Sequence, residues 1–251
     1  MPMSRIIAFV NQSGGVGKTT LVVNTGYHLA EKGHRVLLVD MDSQASLTKY
    51  FDIDPKQLDK TTFDAIAFGD DLPIHTDIHK LALAPANRNL VTIDGKLAAV
   101  EGREYRLRDA LTTLRNSYDF ILIDCPPNLG LLSLMSLIAA NHVLIPIKTN
   151  EKGLEGADDL RETISVVLQR ANPRLRIAGA VPMMYDARRV HDRLTLDEIK
   201  KLFGSYTVHP AIPNATDFDN AWRARQPLGI FYQKHPAVEN LRQLATNLER
   251  M

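Results

Sequence analysis

With a single cysteine, Cys125, the chain cannot close an internal disulfide or assemble a cysteine-rich metal site. It has no uninterrupted run of about 18 apolar residues, so no membrane-spanning helix is expected. A charge excess is missing too. Against 30 Lys and Arg stand 29 Asp and Glu, and a net charge of +1 gives no global attraction to nucleic acid. Any such attraction must come from a local patch. A strand is expected within a few residues of Met1, which leaves no room for a signal peptide, and cytoplasm is the expected compartment. The 45% apolar and 24% charged content is that of an ordinary globular chain and leaves function open.

A length of 251 residues is ample for one large α/β domain with a substantial core. Apolar, β-branched runs at residues 6–10, 36–40, 120–124, 143–147 and 177–181 read as strands, with weaker candidates at 81–84 and 208–209. Helical stretches are expected at 19–32, 107–114, 131–139, 156–170, 194–203 and 238–250, and Gly33 fits a stop after the first. The alternation predicts a doubly wound, mostly parallel sheet with helices on both faces. No repeat, low-complexity tract or linker divides the chain, so residues 1–251 are read as a single domain.

Ser13-Gly14-Gly15-Val16-Gly17-Lys18-Thr19-Thr20 follows the first apolar run directly. Glycines there let successive N–H groups curl around one anion-sized hollow, and the following helix adds its partial positive charge. Lys18 is expected to reach the β- and γ-phosphates of a nucleotide, and the Thr19 hydroxyl to sit on Mg²⁺. Two later strands end in aspartate, as Val39-Asp40-Met41-Asp42 and Ile123-Asp124-Cys125-Pro126. Ligands of doubly wound sheets sit beyond such strand ends. A carboxylate closing a buried strand is costly unless it is paired, metal-bound or wet.

The loop departs from the common phosphate-loop pattern, because Gln12 stands where the first glycine is usual. What remains resembles the deviant Walker A box of the ParA/MinD family of dimerising P-loop ATPases. Asp-x-Asp-Ser-Gln at 40–44, Asp-Cys-Pro-Pro at 124–127, Gly102-Arg103-Glu104-Tyr105-Arg106-Leu107 and Leu154-Glu155-Gly156 extend the likeness along the whole chain. No helix-turn-helix extension of the kind larger partition ATPases carry is expected. The resemblance implies ATP and Mg²⁺ as ligands, with the nucleotide on residues 13–20. It makes Asp124 the metal-holding aspartate, and Asp40 a group near the metal that orients the attacking water. Asp42 becomes a neighbouring switch residue whose role stays unseparated.

The family's signature lysine, which crosses the dimer to the partner's phosphates, is replaced by Ser13. A site lacking one cation needs another to stabilise phosphoryl transfer. Lys152 is the favoured substitute, reaching across the dimer, and Lys148 is the competing one. A displaced lysine resembles the McdA branch, which positions carboxysomes. Adenine contacts are expected from Met184 and Pro213. Non-specific contacts to double-stranded DNA are expected from Arg188, Arg189, Arg223 and Arg225, since Arg clusters attract phosphates without reading sequence. Asn214-Ala215-Thr216-Asp217-Phe218-Asp219, where partition relatives carry an arginine-rich run, is acidic. Residues 238–248 have apolar spacing without a cationic face, so that helix should pack on the domain and not on membrane.

The resemblance therefore implies an ATPase that dimerises with ATP, holds DNA on the nucleoid and releases when a small adaptor on its cargo stimulates hydrolysis. Carboxysome positioning is the leading expectation, and plasmid or chromosome partition the alternative. A MinD-like membrane-associated ATPase is a lesser reading. An iron–sulfur electron-transfer protein fits poorly, since one cysteine beside a metal aspartate cannot bridge a cluster.

Overall fold

Strand-forming runs buried on both faces set the architecture. In the computed structural model, which describes residues 4–251 apart from the side chains of Glu151 and Lys152, eight strands form one sheet. They are β1 (Arg5–Phe9), β2 (Val36–Asp40), β3 (His75–Ile78), β4 (Leu81–Ala84), β5 (Phe120–Asp124), β6 (His142–Lys148), β7 (Arg176–Tyr185) and β8 (Ile212–Pro213). Their order is β3-β4-β2-β5-β1-β6-β7-β8. Only the edge pair β3–β4 is antiparallel; every other pairing is parallel.

The period of two along each strand sorts its side chains between two helical layers. Ile6, Ala8, Leu37, Val39, Ile121 and Ile123 face one layer. It is built from α3 (Thr62–Phe68), α4 (Ile93–Lys96), α5 (Arg106–Ala110), α6 (Leu131–Ala139), α7 (Ala157–Arg170) and α8 (Val190–Phe203). Ile7, Phe9, Leu38, Phe120 and Leu122 face the other. There lie α1 (Lys18–Glu31), α2 (Ser46–Tyr50), α9 (Asp217–Arg223), α10 (Leu228–Phe231) and α11 (Pro236–Glu249). Each of the larger side chains among these, fully buried, contributes about 1.5–3 kcal/mol, which is why the central strands are nearly continuous in apolar residues.

The doubly wound expectation is met, with local corrections. The strand read at 208–209 is one bridge, Val208 to Ala180; the β7 edge pairs instead with β8. The helix read over 107–114 breaks into α5 and a 3-10 turn at Thr112–Leu114. Helix α3 was not expected, although Thr61 and Asp64 form the capping box that starts it. Helix α11 buries Val238, Leu241, Leu244 and Leu248 against α1 and the sheet, so its apolar face is spent inside the domain. No described helix is long and apolar enough to cross a membrane.

Register places the site. Asp124 lies level with Phe9 at the end of β1 and with Asp40 at the end of β2. Both strands therefore end beside the loop joining β1 to α1, at the edge where parallel α/β sheets bind ligands.

Candidate nucleotide-phosphate site

Residues Gly14 to Thr20 curl over the end of β1 and line an open hollow of about 290 Å³. Asp42, Ser46, Cys125, Pro127, Met184 and Trp222 complete its walls. Gly17 sits at φ 93° and caps α1, a left-handed conformation that a side chain would strain. A Cβ there would also come within 2.9 Å of the Met183 methyl group. The α1 N-terminus thus faces the hollow with free N–H groups and no acidic residue in its first turn.

Lys18 is 7% exposed. Its ammonium donates to the carbonyls of Asn11 at 2.8 Å and Ser13 at 3.2 Å. Burial lowers its pKa, and the charge of Asp124 opposes that shift. The loop itself is braced by Asn11, whose Oδ1 accepts from the Ser13 N–H at 2.7 Å and whose Nδ2 donates to the Pro146 carbonyl at 2.7 Å. Ser13 therefore contributes backbone to the brace and does not line the hollow.

Thr19 Oγ1 donates to Asp124 Oδ2 at 2.6 Å. The other carboxylate oxygen, Asp124 Oδ1, is buried without a hydrogen-bond partner among the described residues. Burial, followed by the charge of Asp40, pushes the Asp124 pKa upward. An orphaned, proton-seeking carboxylate one hydrogen bond from a hydroxyl fits a hard divalent cation. Among the described residues no group of three or more His, Cys, Asp or Glu could cage a metal. A cation at Thr19 and Asp124 would share the rest of its shell with phosphate and water, as Mg²⁺ does.

Asp40, expected to orient a water and stand at the metal, does not line the hollow in this structure. It is 0% exposed. Its Oδ2 accepts from the Thr48 N–H at 2.9 Å and from the Thr48 hydroxyl at 2.7 Å, and its Oδ1 accepts from the Asp42 N–H at 3.1 Å. Burial pushes its carboxyl up to about 6, against the pull of those three hydrogen bonds. Asp40 ties β2 to α2 and shapes the segment after it. The carboxylate that faces the hollow is Asp42, half-buried and bonded to the Gln44 N–H at 2.9 Å. The period of two puts both on one face, so only the loop's own turn after β2 separates them.

Met184 reaches the hollow, at a positive φ of 59°. Pro213 does not line it and pairs with Tyr185 at the sheet edge. Trp222, missed in the sequence, stands at the mouth with its ring edge-on to Tyr50, centroids 4.9 Å apart. Being the chain's one tryptophan was its only signal. The backbone of Lys152 lies in the single turn Glu151–Leu154, and its side chain falls outside the described residues. Lys148 ends β6 beside the loop.

None of the four arginines expected to contact DNA lines the hollow. Arg188 pairs with Asp186 at 2.8 Å and Arg189 approaches the same carboxylate at 3.7 Å. The Arg188 bond holds Asp186 down to about 2. Arg225 faces Asp52 at 3.8 Å, and Arg223 is exposed at the end of α9.

Residues 4–177 match an AAA domain family. The chain is 35% identical over 251 residues to the chromosome partitioning protein ParA of Myxococcus xanthus (strain DK1622), covering 98% of this chain and 88% of that one. Among solved structures it resembles a cobyrinic acid a,c-diamide synthase from Mycobacterium smegmatis with bound ATP analog and magnesium. The TM-score is 0.87 at 34% identity, covering 98% of this chain and 95% of that one. Apo McdA from Cyanothece superposes with a TM-score of 0.87 at 20% identity over 98% and 99% of the two chains, a likeness of fold alone. Sequence identity at this level along nearly the whole chain, on a sheet whose glycine loop meets the strand-end Asp124, makes this protein a member of the ParA/MinD family of AAA-domain proteins.

Proposed function

We propose that the chain is a single-domain, ATP-dependent partition ATPase that binds ATP with Mg²⁺, pairs with a second copy and holds DNA non-specifically. The observation that carries the reading is the buried, unpartnered Asp124 Oδ1 beside the Thr19 hydroxyl at the head of a glycine loop. N–H groups of residues 14–20 hold the phosphate chain. Lys18 exchanges its two carbonyl partners for β- and γ-phosphate oxygens, which are stronger acceptors. Thr19 and Asp124 would hold Mg²⁺, which when bound would supply positive charge to the phosphate oxygens. Asp42, at the hollow's wall, orients the attacking water, and Met184 with Trp222 flank the base.

Binding is read directly from Trp222 emission, because the chain has no other tryptophan. Titration with ATP and Mg²⁺ is expected to change that emission saturably, and sedimentation to show a doubled mass with ATP but not with ADP. A chain that stays single and silent with ATP overturns the reading.

DNA binding and nucleoid association belong to the same proposal. Reversing Arg223 and Arg225 to glutamate is expected to weaken binding to an arbitrary duplex about tenfold and leave ATP affinity unchanged. Each phosphate contact contributes about 0.9 to the slope of log K against log salt, so the slope should flatten by about 2. Anisotropy titrations between about 50 and 200 mM salt check this; an unchanged slope clears both residues. A small adaptor on the cargo is the expected stimulator of hydrolysis. Identity of 35% to a ParA favours DNA as cargo. Carboxysome positioning is the second reading, favoured by Ser13 at the signature-lysine position. An iron–sulfur role is disfavoured by Cys125, whose buried thiol is pushed up to about 12.

A further inference from the structure

A lysine stands beside the phosphate loop from a neighbouring strand. β6 pairs directly with β1, so its last residue emerges next to the loop that continues β1. That residue is Lys148, in register with Met183 of β7. Its ammonium lies 3.8 Å from the point a Cβ on Gly15 would occupy. It is half-buried, and among the described residues no carboxylate or carbonyl partners it. Lys18, by contrast, is bound to two carbonyls.

The backbone around Lys148 is built to stay there. The Thr149 N–H donates to the Met183 carbonyl at 3.1 Å, and the Thr149 hydroxyl is shared between that carbonyl and Asp192. The chain then folds back so closely that a Cβ on Gly153 would fall 1.8 Å from the Lys148 carbonyl oxygen. Gln12, standing where the common loop has glycine, packs so tightly on Gly156 that a Cβ there would lie 1.2 Å from its amide nitrogen. The loop after β6 and the phosphate loop are thus one packed unit, and the ammonium is held beside the phosphate loop with no carbonyl or carboxylate partner among the described residues. Such a cation gains most when a polyanion arrives.

We propose that Lys148 contacts the phosphate chain of the nucleotide in its own subunit, supplying in cis the charge absent at Ser13. The proposal rests on the ATP-binding reading above. ATP recognition then gains a second ammonium before any partner subunit arrives.

The test titrates ATP and Mg²⁺ against Trp222 emission at protein concentrations low enough to keep the chain monomeric. Lys148→Gln is expected to weaken ATP about tenfold, which corresponds to ~1.4 kcal/mol, while Lys148→Arg recovers most of that loss. Thermal melting without nucleotide should not change in either variant, because none of the described residues pairs with the ammonium through a carboxylate or carbonyl. Parent-like ATP affinity in monomeric Lys148→Gln overturns the proposal. So does a defect that appears only at concentrations where dimers form, or one that Lys152→Ala alone reproduces, since both mark a cation acting across the dimer. Lys18→Ala is the reference arm: if it loses ATP while Lys148→Gln does not, the cis cation fails and the loop stands. If neither variant loses ATP, the loop reading itself falls.

Discussion

Lys18→Ala is expected to lower ATP affinity by at least about a hundredfold. The ammonium is enclosed by the loop it serves, with two backbone carbonyls as partners and 7% of the residue exposed. Hydrogen bonds from a charged donor contribute roughly 1.5–3 kcal/mol each, so losing two to phosphate oxygens costs about 3 kcal/mol or more. Each 1.4 kcal/mol is tenfold in affinity, which sets the hundredfold figure. The truncation also strands the Asn11 and Ser13 carbonyls, so melting of the free protein should be followed in parallel. Isothermal titration gives the affinity. Binding within about threefold of the parent, in a variant that melts like the parent, would mean the loop does not grip phosphate.

Asp42→Asn is expected to cut turnover at saturating ATP by about 10²–10³-fold while affinity stays within about threefold, giving a nucleotide-loaded chain that persists. A positioned base or water-orienting carboxylate typically contributes 10²–10⁴ in rate, and asparagine keeps the shape while losing the charge. Asp40→Asn should behave differently. Its Oδ2 accepts two hydrogen bonds from Thr48 in a fully buried site, and the amide can offer oxygen to only one side. Loss of a buried partner costs about 1–3 kcal/mol, so that variant should melt lower. Phosphate release and melting on the same preparations separate the two. A collapse of turnover in Asp40→Asn at unchanged stability, with Asp42→Asn active, would return the water-orienting role to Asp40.

Local chemistry made much of the site legible. Glycines in the loop, Lys18 and Thr19 act through spacing of a few residues, and a strand-end carboxylate such as Asp124 is conspicuous because burial forbids it without a reason. Strands β2, β4 and β5 and helix α6 were readable to the residue, since their apolar runs are packed from both sides. Short elements were not: α2, α9 and α10 are held by what they pack on, not by periodicity.

The chain's own order of residues determined that a polyanion-binding loop opens a doubly wound sheet, because glycine conformation, helix polarity and the period of two are local properties. Tertiary structure alone decided which carboxylate, cation and ring meet in that hollow. Asp40 turned to Thr48 and left Asp42 at the wall. Trp222 came from a helix more than 200 positions downstream of the loop. Lys148 came from the adjacent strand. Strand register and layer packing bring these groups together across the fold, and no short stretch of sequence encodes them.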